Sequence, residues 1–179
     1  MGSPSGRMDR TLAIPRRALV LLVGVSGSGK TTFAKEHFQP FQVVSSDYCR
    51  GLVCDDEADQ TATRAAFDLL HFIVEKRLEL GKLTVVDATN VEAHARRSLV
   101  ARARDHHFTP VAVVLDVEED VALAQNSRRP DRQVAGGPIR DQHRELRASK
   151  AGLSKEGFSK VYVLRSPEEI SSARLVVEG

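Results

Sequence analysis

The residues from Gly24 to Thr31 have the types and the spacing that bind the phosphates of a nucleoside triphosphate. They read Gly-Val-Ser-Gly-Ser-Gly-Lys-Thr and match the pattern G-x-x-x-x-G-K-[ST]. Glycines let backbone N–H groups turn inward around an anion, and the start of a following helix adds partial positive charge. Lys30 is then expected to reach the β- and γ-phosphates, and the Thr31 hydroxyl is expected to ligate Mg²⁺. The predicted nucleotide-binding residues are Gly27, Ser28, Gly29, Lys30, Thr31 and Thr32.

A second polar segment, Ser-Ser-Asp-Tyr-Cys-Arg at 45–50, follows a short apolar stretch. The carboxyl ends of parallel strands meet at one edge of a sheet, so Asp47 is expected near the phosphate-binding loop. A carboxylate there can accept the proton of an attacking hydroxyl, which favours a hydroxyl acceptor over an acceptor phosphate. If the turn is helical, Arg50 lies on the same face and can hold a phosphate of the acceptor. The alternatives are a helix N-cap for Asp47 and a surface ion pair for Arg50.

A third polar segment ends an apolar stretch at 83–90, which reads Leu-Thr-Val-Val-Asp-Ala-Thr-Asn. Asp87 stands where an acidic residue holds Mg²⁺, directly or through water. Thr89 and Asn90 carry side chains that can hydrogen-bond the acceptor. The alternative is a turn at the end of the strand, with Asn90 capping the next helix.

The stretch 126–134 reads Asn-Ser-Arg-Arg-Pro-Asp-Arg-Gln-Val and places three arginines within five positions. In a phosphoryl-transfer protein it is typical of a lid. The lid arginines Arg128, Arg129 and Arg132 would neutralise charge that develops on the γ-phosphoryl oxygens. Closure of the lid would exclude water and suppress hydrolysis of ATP. The alternative is a solvated charged loop.

The formal net charge of the chain is +2, which excludes a strongly basic coat for nucleic acid but leaves room for a local basic site. Arg140, Arg144 and Arg147 form one basic face of a predicted helix. That face is either a solvated surface or a track for a phosphate backbone.

The elements that must position these residues alternate between strand and helix patterns. Short valine-rich segments predict strands at 18–23, 41–45, 83–86, 111–115 and 161–164. Helical periodicity predicts a short helix ending near His37 and helices at 61–80, 92–105, 118–126 and 139–153. The inward face of the helix at 61–80 is expected to carry Phe67, Leu70, Val74 and Leu78, and Phe41 is expected in the core. Repeated strand–helix units predict an α/β fold with one parallel five-stranded sheet and helices on both faces.

The length of 179 residues fits one domain, predicted at 11–179, with 1–10 as a disordered leader or expression remnant. No apolar stretch approaches the roughly 18 residues that cross a bilayer, and no secretory signal pattern opens the chain. The two cysteines, Cys49 and Cys54, are too few for a disulfide framework or a structural zinc site. These features predict a cytoplasmic protein without a membrane partner.

Four segments together resemble the 5′-OH polynucleotide kinases, in particular the N-terminal kinase domain of bacterial polynucleotide kinase-phosphatase, an RNA-repair enzyme. The segments are GVSGSGKTTFAK, SSDYCRGLV, VVDATN and RPDRQV, and the resemblance extends from about Leu19 to Pro167. It implies an adenylate-kinase-like P-loop NTPase fold with an arginine-bearing lid. It also implies transfer of the γ-phosphate of ATP or another NTP to a 5′-OH end of RNA or DNA, with Mg²⁺.

The resemblance carries roles onto residues of this chain. The implied catalytic residues are Lys30, Asp47, Arg129 and Arg132; the implied nucleotide contacts include Arg128; the implied acceptor contacts are Arg50, Gln60, Thr89 and Asn90; and the implied metal ligands are Thr31 and Asp87. Asp47 resembles the general base, and Arg50 resembles the contact to the phosphate on the 3′ side of the acceptor nucleoside.

The chain departs from the family pattern at two points. Gln125 stands where a relative has an arginine just upstream of the lid, and Arg128 is the candidate to replace that contact. Family members carry the kinase beside phosphatase and ligase domains, so the chain is either an excised domain or a free-standing kinase.

Two other functions share part of this pattern. A P-loop kinase of a small hydroxyl metabolite would keep the base and the lid but would enclose its acceptor in a polar pocket. A switch NTPase would use nucleotide binding to gate a partner, although Asp47 and the arginine lid argue against it.

Overall fold

A computed structural model describes residues 10–130 and 133–179. The strands are β1 (Thr11–Pro15), β2 (Ala18–Val23), β3 (Val43–Ser45), β4 (Thr84–Asp87), β5 (Thr109–Leu115), β6 (Lys160–Leu164) and β7 (Arg174–Glu178). The helices are α1 (Lys30–His37), α2 (Ser46–Cys54), α3 (Thr63–Glu79), α4 (Ala93–Asp105), α5 (Glu119–Ser127), α6 (Gly136–Ser149) and α7 (Pro167–Ser172). Short 3₁₀ helices lie at Pro40–Gln42, Gln60–Ala62 and Lys150–Lys155.

The main sheet is parallel and has the strand order β3-β4-β2-β5-β6, which confirms the predicted five-stranded parallel sheet. In its register, Asp87 of β4 pairs with Leu22 of β2 and with Ser45 of β3. The carboxyl ends of these three strands are therefore level. The loop after β2, the helix after β3 and the loop after β4 all start at the same edge of the sheet.

The two faces of the sheet divide the core between them. All six residues of β2 are buried, and alternate side chains point to opposite faces. One face packs against helices α3 to α6, with Ala66, Leu70, Val74 and Leu78 of α3 buried at intervals of four residues. Phe67, which was expected in this stripe, is only partly buried at its edge.

The opposite face packs against α1 and a second, two-stranded parallel sheet formed by β1 and β7. Leu12 and Ile14 of β1 are fully buried there, and the Tyr162 hydroxyl of β6 donates to the Ala13 carbonyl at 2.9 Å. The sequence analysis did not predict this small sheet, because it joins the two ends of the described chain.

The prediction that Phe41 lies in the core is wrong. Pro40 opens a 3₁₀ turn instead of continuing a strand, and β3 begins only at Val43. Proline has a fixed φ that suits the first position of such a turn, and the turn includes Phe41 and Gln42, which removes both from the strand. Phe41 is 90% exposed as a result. The helix predicted at 139–153 also differs, since α6 begins earlier, at Gly136, and ends at Ser149.

Within the described residues, no helix has the length and apolar character that crossing a bilayer demands.

Candidate active site

The loop between β2 and α1 has the backbone shape of an anion cradle. Gly27 and Gly29 have φ angles of 83° and 98°, in the left-handed region that glycine tolerates. A Cβ on Gly27 would also collide with the Ala122 carbonyl of α5. Gly29 precedes α1 and makes no side-chain cap, so the first-turn N–H groups of α1 are available to an anion.

Lys30, the first residue of α1, brings its ammonium group into this loop. Its Nζ donates to the carbonyls of Gly24 and Val25, both at 2.8 Å, and the residue is 8% exposed. These two hydrogen bonds hold the ammonium group at the loop, where a lysine can bind phosphate oxygens.

Thr31 and Asp87 form a pair of oxygen donors beside the loop. The Thr31 hydroxyl donates to Asp87 Oδ2 at 2.8 Å, and Asp87 is 5% exposed at the end of β4. Mg²⁺ prefers such hard oxygen ligands and commonly uses one or two protein groups together with substrate phosphates. The described residues contain no cluster of three or more His, Cys, Asp and Glu side chains that could hold a metal ion alone.

Asp47 and Arg50 meet on one face of α2, as the helical spacing predicts. Arg50 Nη1 donates to Asp47 Oδ1 at 2.8 Å and to the Glu57 carbonyl at 2.9 Å. The Arg50 side chain is 5% exposed and that of Asp47 is 33% exposed, so this is not a surface ion pair. The N-cap of α2 is Ser45, whose hydroxyl accepts from the Tyr48 N–H at 3.3 Å. Asp47 is therefore not the N-cap of α2, which was the alternative to a catalytic role.

The Arg50 Nε atom is buried and has no hydrogen-bond partner among the described residues. An unpaired buried N–H of a guanidinium is costly, so this atom lowers the stability of the local structure.

Gln60 reaches the same place from the 3₁₀ turn before α3. Asp59 caps that turn by accepting from the Thr61 N–H at 2.8 Å and the Thr61 hydroxyl at 2.6 Å. The hydrogen bonds from Thr61 lower the pKa of Asp59, and the nearby Arg50 charge acts in the same direction. The cap thus remains charged at neutral pH and fixes the turn that carries Gln60.

A cavity of about 180 Å³ joins these groups. Among its lining residues are the sequence-predicted Gly27, Gly29, Lys30, Thr31, Asp47, Arg50, Gln60, Asp87, Thr89 and Arg129. Its charged lining consists of three cations and two carboxylates, which suits an anionic ligand. We call it the acceptor cavity.

A second cavity of about 370 Å³ lies on the other side of the loop and shares Gly27, Gly29 and Arg129 with the first. We call it the donor cavity. Thr32, Arg128 and Gln125 line the donor cavity. Arg128, the candidate to replace the arginine contact missing at Gln125, therefore lies in the same cavity as Gln125. Five further lining residues of the donor cavity were not predicted from the sequence: Phe33, Glu36, Pro167, Ile170 and Ser171. The last three belong to α7, and no local pattern connects that helix with the loop.

The structure does not bring Asn90 into the acceptor cavity. Asn90 is 5% exposed, and its Nδ2 donates to the Leu22 carbonyl of β2 at 2.7 Å. Its φ angle is 50°, and the N-cap of α4 is Glu92, so Asn90 is not the helix cap either. Its side chain joins the end of β2 to the turn after β4. This contact replaces the acceptor contact that was predicted for Asn90.

The remaining predicted basic residues have different surroundings. Arg132 lies outside the described residues. Arg140 pairs with Glu119 at 3.6 Å, and Arg144 pairs with Asp141 at 3.2 Å, with all four side chains at least 41% exposed. These pairs favour the solvated-face interpretation of α6 over a phosphate track.

Three lining residues of the acceptor cavity escaped the sequence analysis: Thr63, Phe67 and Gln142. Gln142 of α6 is notable because its Oε1 accepts from the Ser26 N–H of the loop at 2.8 Å. A polar residue on an amphipathic helix carries no local sign of such a contact.

Neither cysteine offers a nucleophile that this chemistry would use. Burial raises the pKa of the Cys49 thiol, which therefore stays protonated at neutral pH. The Cys54 thiol donates to the carbonyls of Arg50 and Asp56.

Comparisons with known proteins show the family and the fold of the chain. A family model described as an AAA domain matches residues 19–154. A search of curated protein sequences finds no match. A chain in the Pnkp1/Rnl/Hen1 RNA repair complex is similar in structure, with a TM-score of 0.65, 18% identity and coverage of 78% of this chain. This chain spans 46% of that one.

Two small-molecule kinases are also similar in structure. A gluconokinase from Sinorhizobium meliloti has a TM-score of 0.55 and 14% identity, with coverage of 88% of this chain and 92% of that one. Shikimate kinase from Acinetobacter baumannii, in complex with shikimate, has a TM-score of 0.53 and 17% identity, with coverage of 86% and 87%. At these identities, the similarities show a shared P-loop kinase fold.

Proposed function

Because the chain belongs to the AAA domain family and has a P-loop kinase fold, we propose that it is an ATP-dependent polynucleotide 5′-hydroxyl kinase. It would transfer the γ-phosphate of an NTP to a 5′-OH end of RNA or DNA in nucleic-acid repair. The similarity to a chain of an RNA repair complex supports this acceptor class.

One observation carries the proposal: a carboxylate and a nearly buried arginine stand together opposite the phosphate-binding loop. Asp47 and Arg50 line the same cavity as Lys30 and Thr31. A hydroxyl needs a proton acceptor when it attacks, and a polynucleotide end brings a phosphate next to its terminal nucleoside. Asp47 would accept the proton, and Arg50 would bind that phosphate.

In the proposed reaction, the 5′-hydroxyl oxygen attacks the γ-phosphorus of ATP. The new bond joins that oxygen to phosphorus, and the bond from the γ-phosphorus to the β,γ-bridging oxygen breaks. ADP leaves with the electron pair of the broken bond. The Asp47 carboxylate accepts the proton of the hydroxyl, which raises the nucleophilicity of the oxygen.

Arg50 would hold the acceptor through the phosphate on the 3′ side of its first nucleoside. Its place in the lining of the acceptor cavity supports this role, because a guanidinium binds phosphate oxygens through charge-assisted hydrogen bonds. Gln60 and Thr89, on the same cavity wall, would bind the acceptor nucleoside.

The donor nucleotide would lie across both cavities. The loop N–H groups and Lys30 would bind its β- and γ-phosphates, and the donor cavity would take its nucleoside between Arg128 and Pro167. Arg129 lines both cavities, so it would neutralise charge that develops on the transferring phosphoryl group.

Thr31 and Asp87 would hold Mg²⁺, because their oxygens are of the right kind and are already in contact. When bound, the ion would neutralise charge on the β- and γ-phosphate oxygens.

The proposal is tested by incubating the protein with γ-labelled ATP, Mg²⁺ and a 5′-OH oligonucleotide, beside a panel of small hydroxyl metabolites. The same oligonucleotide with a 5′-phosphate serves as the matched acceptor control. The proposal expects label on the 5′-OH oligonucleotide only. Label on a metabolite but not on the oligonucleotide would contradict it.

A small-metabolite kinase is the second candidate. The acceptor cavity of about 180 Å³ is small enough to hold a single sugar-sized acceptor, and gluconokinase and shikimate kinase share the fold. The same labelling panel separates the two functions.

A further inference from the structure

Gln142 makes a contact that joins α6 to the phosphate-binding loop. Its Oε1 accepts from the Ser26 backbone N–H at 2.8 Å, across 116 positions of sequence. Helix α6 packs through its buried residues Ile139 and Leu146, and Glu119 of α5 lies 3.6 Å from Arg140. The Gln142 side chain is half-buried, so its position comes from the packing of the helix.

The contact lies at the acceptor end of the loop. Ser26 and Gln142 line the acceptor cavity together with Asp47, and neither of them lines the donor cavity. A donor whose nucleoside lies in the donor cavity must point its terminal phosphate toward Asp47. The phosphate that meets the Ser26 N–H is therefore the γ-phosphate.

A γ-phosphate oxygen and the Gln142 oxygen would compete for the same N–H. Because a glutamine amide carries an acceptor oxygen and two N–H donors, rotation about its last side-chain torsion replaces one with the other. The rotated amide would donate to the phosphate instead of accepting from the loop. One side chain can thus satisfy the loop N–H or bind the γ-phosphate.

We propose that Gln142 is a γ-phosphate-binding residue that discriminates ATP from ADP. The inference rests on the proposed function, because it requires a nucleoside triphosphate in the loop. ADP, which lacks the γ-phosphate, would leave the contact between Gln142 and Ser26 intact. After transfer, the amide oxygen would return to the Ser26 N–H.

The test is the affinity of the protein for ATP and for ADP, each with Mg²⁺ and without acceptor, by calorimetry. Gln142→Glu keeps an oxygen that accepts from Ser26 but brings a negative charge toward the γ-phosphate, so ATP affinity should fall by roughly tenfold or more. ADP affinity should stay within about twofold of wild type. Gln142→Ala removes the donor to the γ-phosphate and should also weaken ATP, by about tenfold, more than ADP.

Ala148→Glu is the matched control, since it adds the same charge to an exposed position of α6 and should change neither affinity. Equal losses for ATP and ADP in both Gln142 variants would show a structural role only and would overturn the inference while leaving the proposed function intact. A wild-type protein that binds neither nucleotide would overturn both.

Discussion

Replacing Asp47 with asparagine separates the ion pair that this side chain makes with Arg50 from its proposed role as general base. Asparagine has nearly the same shape as aspartate, and its carbonyl oxygen can still accept from Arg50 Nη1, now 2.8 Å from Asp47 Oδ1. Arg50 and helix α2 should therefore keep their positions. The amide, unlike the carboxylate, is a very poor proton acceptor, so the proposed general base is lost.

The two effects of Asp47→Asn differ in size. Loss of a general base lowers a rate by about 10²- to 10⁴-fold, which corresponds to roughly 3 to 5 kcal/mol in the barrier. Breaking a buried ion pair costs about 3 to 5 kcal/mol in stability. Here one partner is 33% exposed and the hydrogen bond survives, so the expected loss is only about 1 to 2 kcal/mol. The variant should fold but turn over slowly.

The assay is single-turnover transfer from γ-labelled ATP to a 5′-OH oligonucleotide, with ATP affinity measured separately. The rate should fall by at least about 10²-fold while ATP affinity stays within about twofold. Asp55→Asn, at an exposed left-handed position that asparagine tolerates, is the matched control and should have no effect. A rate near that of wild type would show that Asp47 orients Arg50 and does not accept the proton.

Three further changes test other parts of the site. Lys30→Ala should abolish transfer, measured by labelling, because it removes a cation from the phosphate-binding loop. Thermal melting should still show a cooperative transition, since the variant loses two hydrogen bonds to loop carbonyls and no apolar packing of the core, and unchanged turnover would remove the loop from the mechanism. Arg129→Ala should lower kcat more than it raises KM for ATP, because Arg129 lines both cavities. Arg128 lines only the donor cavity, so Arg128→Ala should mainly raise KM for ATP. The reverse pattern would exchange the two roles. Burial lowers the pKa of His71, so the unfolded chain binds the proton more readily than the folded chain does. The free energy of unfolding should therefore be highest above about pH 6.5 and should fall as the pH drops toward 5. His71→Gln should flatten this dependence of Tm on pH, whereas His94→Gln, at an exposed position, is the control and should not flatten it. Equal slopes of Tm against pH in the wild-type protein and in His71→Gln would contradict the assignment of the pH dependence to His71.

Much of the fold follows from patterns that are local in sequence. The apolar stretch of β2 has no polar side, and its six residues and β-branched valines favour a strand covered on both faces. The loop after it needs glycines at positive φ, and the motif supplies them at Gly27 and Gly29. Asp47, which follows β3, and Asp87, which ends β4, lie near that loop because the parallel strands end at one edge of the sheet.

The features that escaped prediction depend on contacts between distant parts of the chain. The small sheet of β1 and β7 forms only when both ends of the described chain meet. Gln142 reaches Ser26 only because α6 packs on α5. Asn90 has a side chain suited to binding, and only its bond to the Leu22 carbonyl shows that it holds two strand ends together.

The most direct test of the polynucleotide assignment compares adenosine 3′-monophosphate with adenosine as acceptors. The first supplies both the 5′-OH for Asp47 and a phosphate for the guanidinium of Arg50, and both residues line the acceptor cavity. A hydrogen bond to a charged group contributes about 1.5 to 3 kcal/mol, so kcat/KM should favour the 3′-monophosphate by about tenfold to a hundredfold. That preference should disappear in Arg50→Ala. Equal kcat/KM for the two acceptors in the wild-type protein would contradict the assignment and favour a kinase of small hydroxyl metabolites.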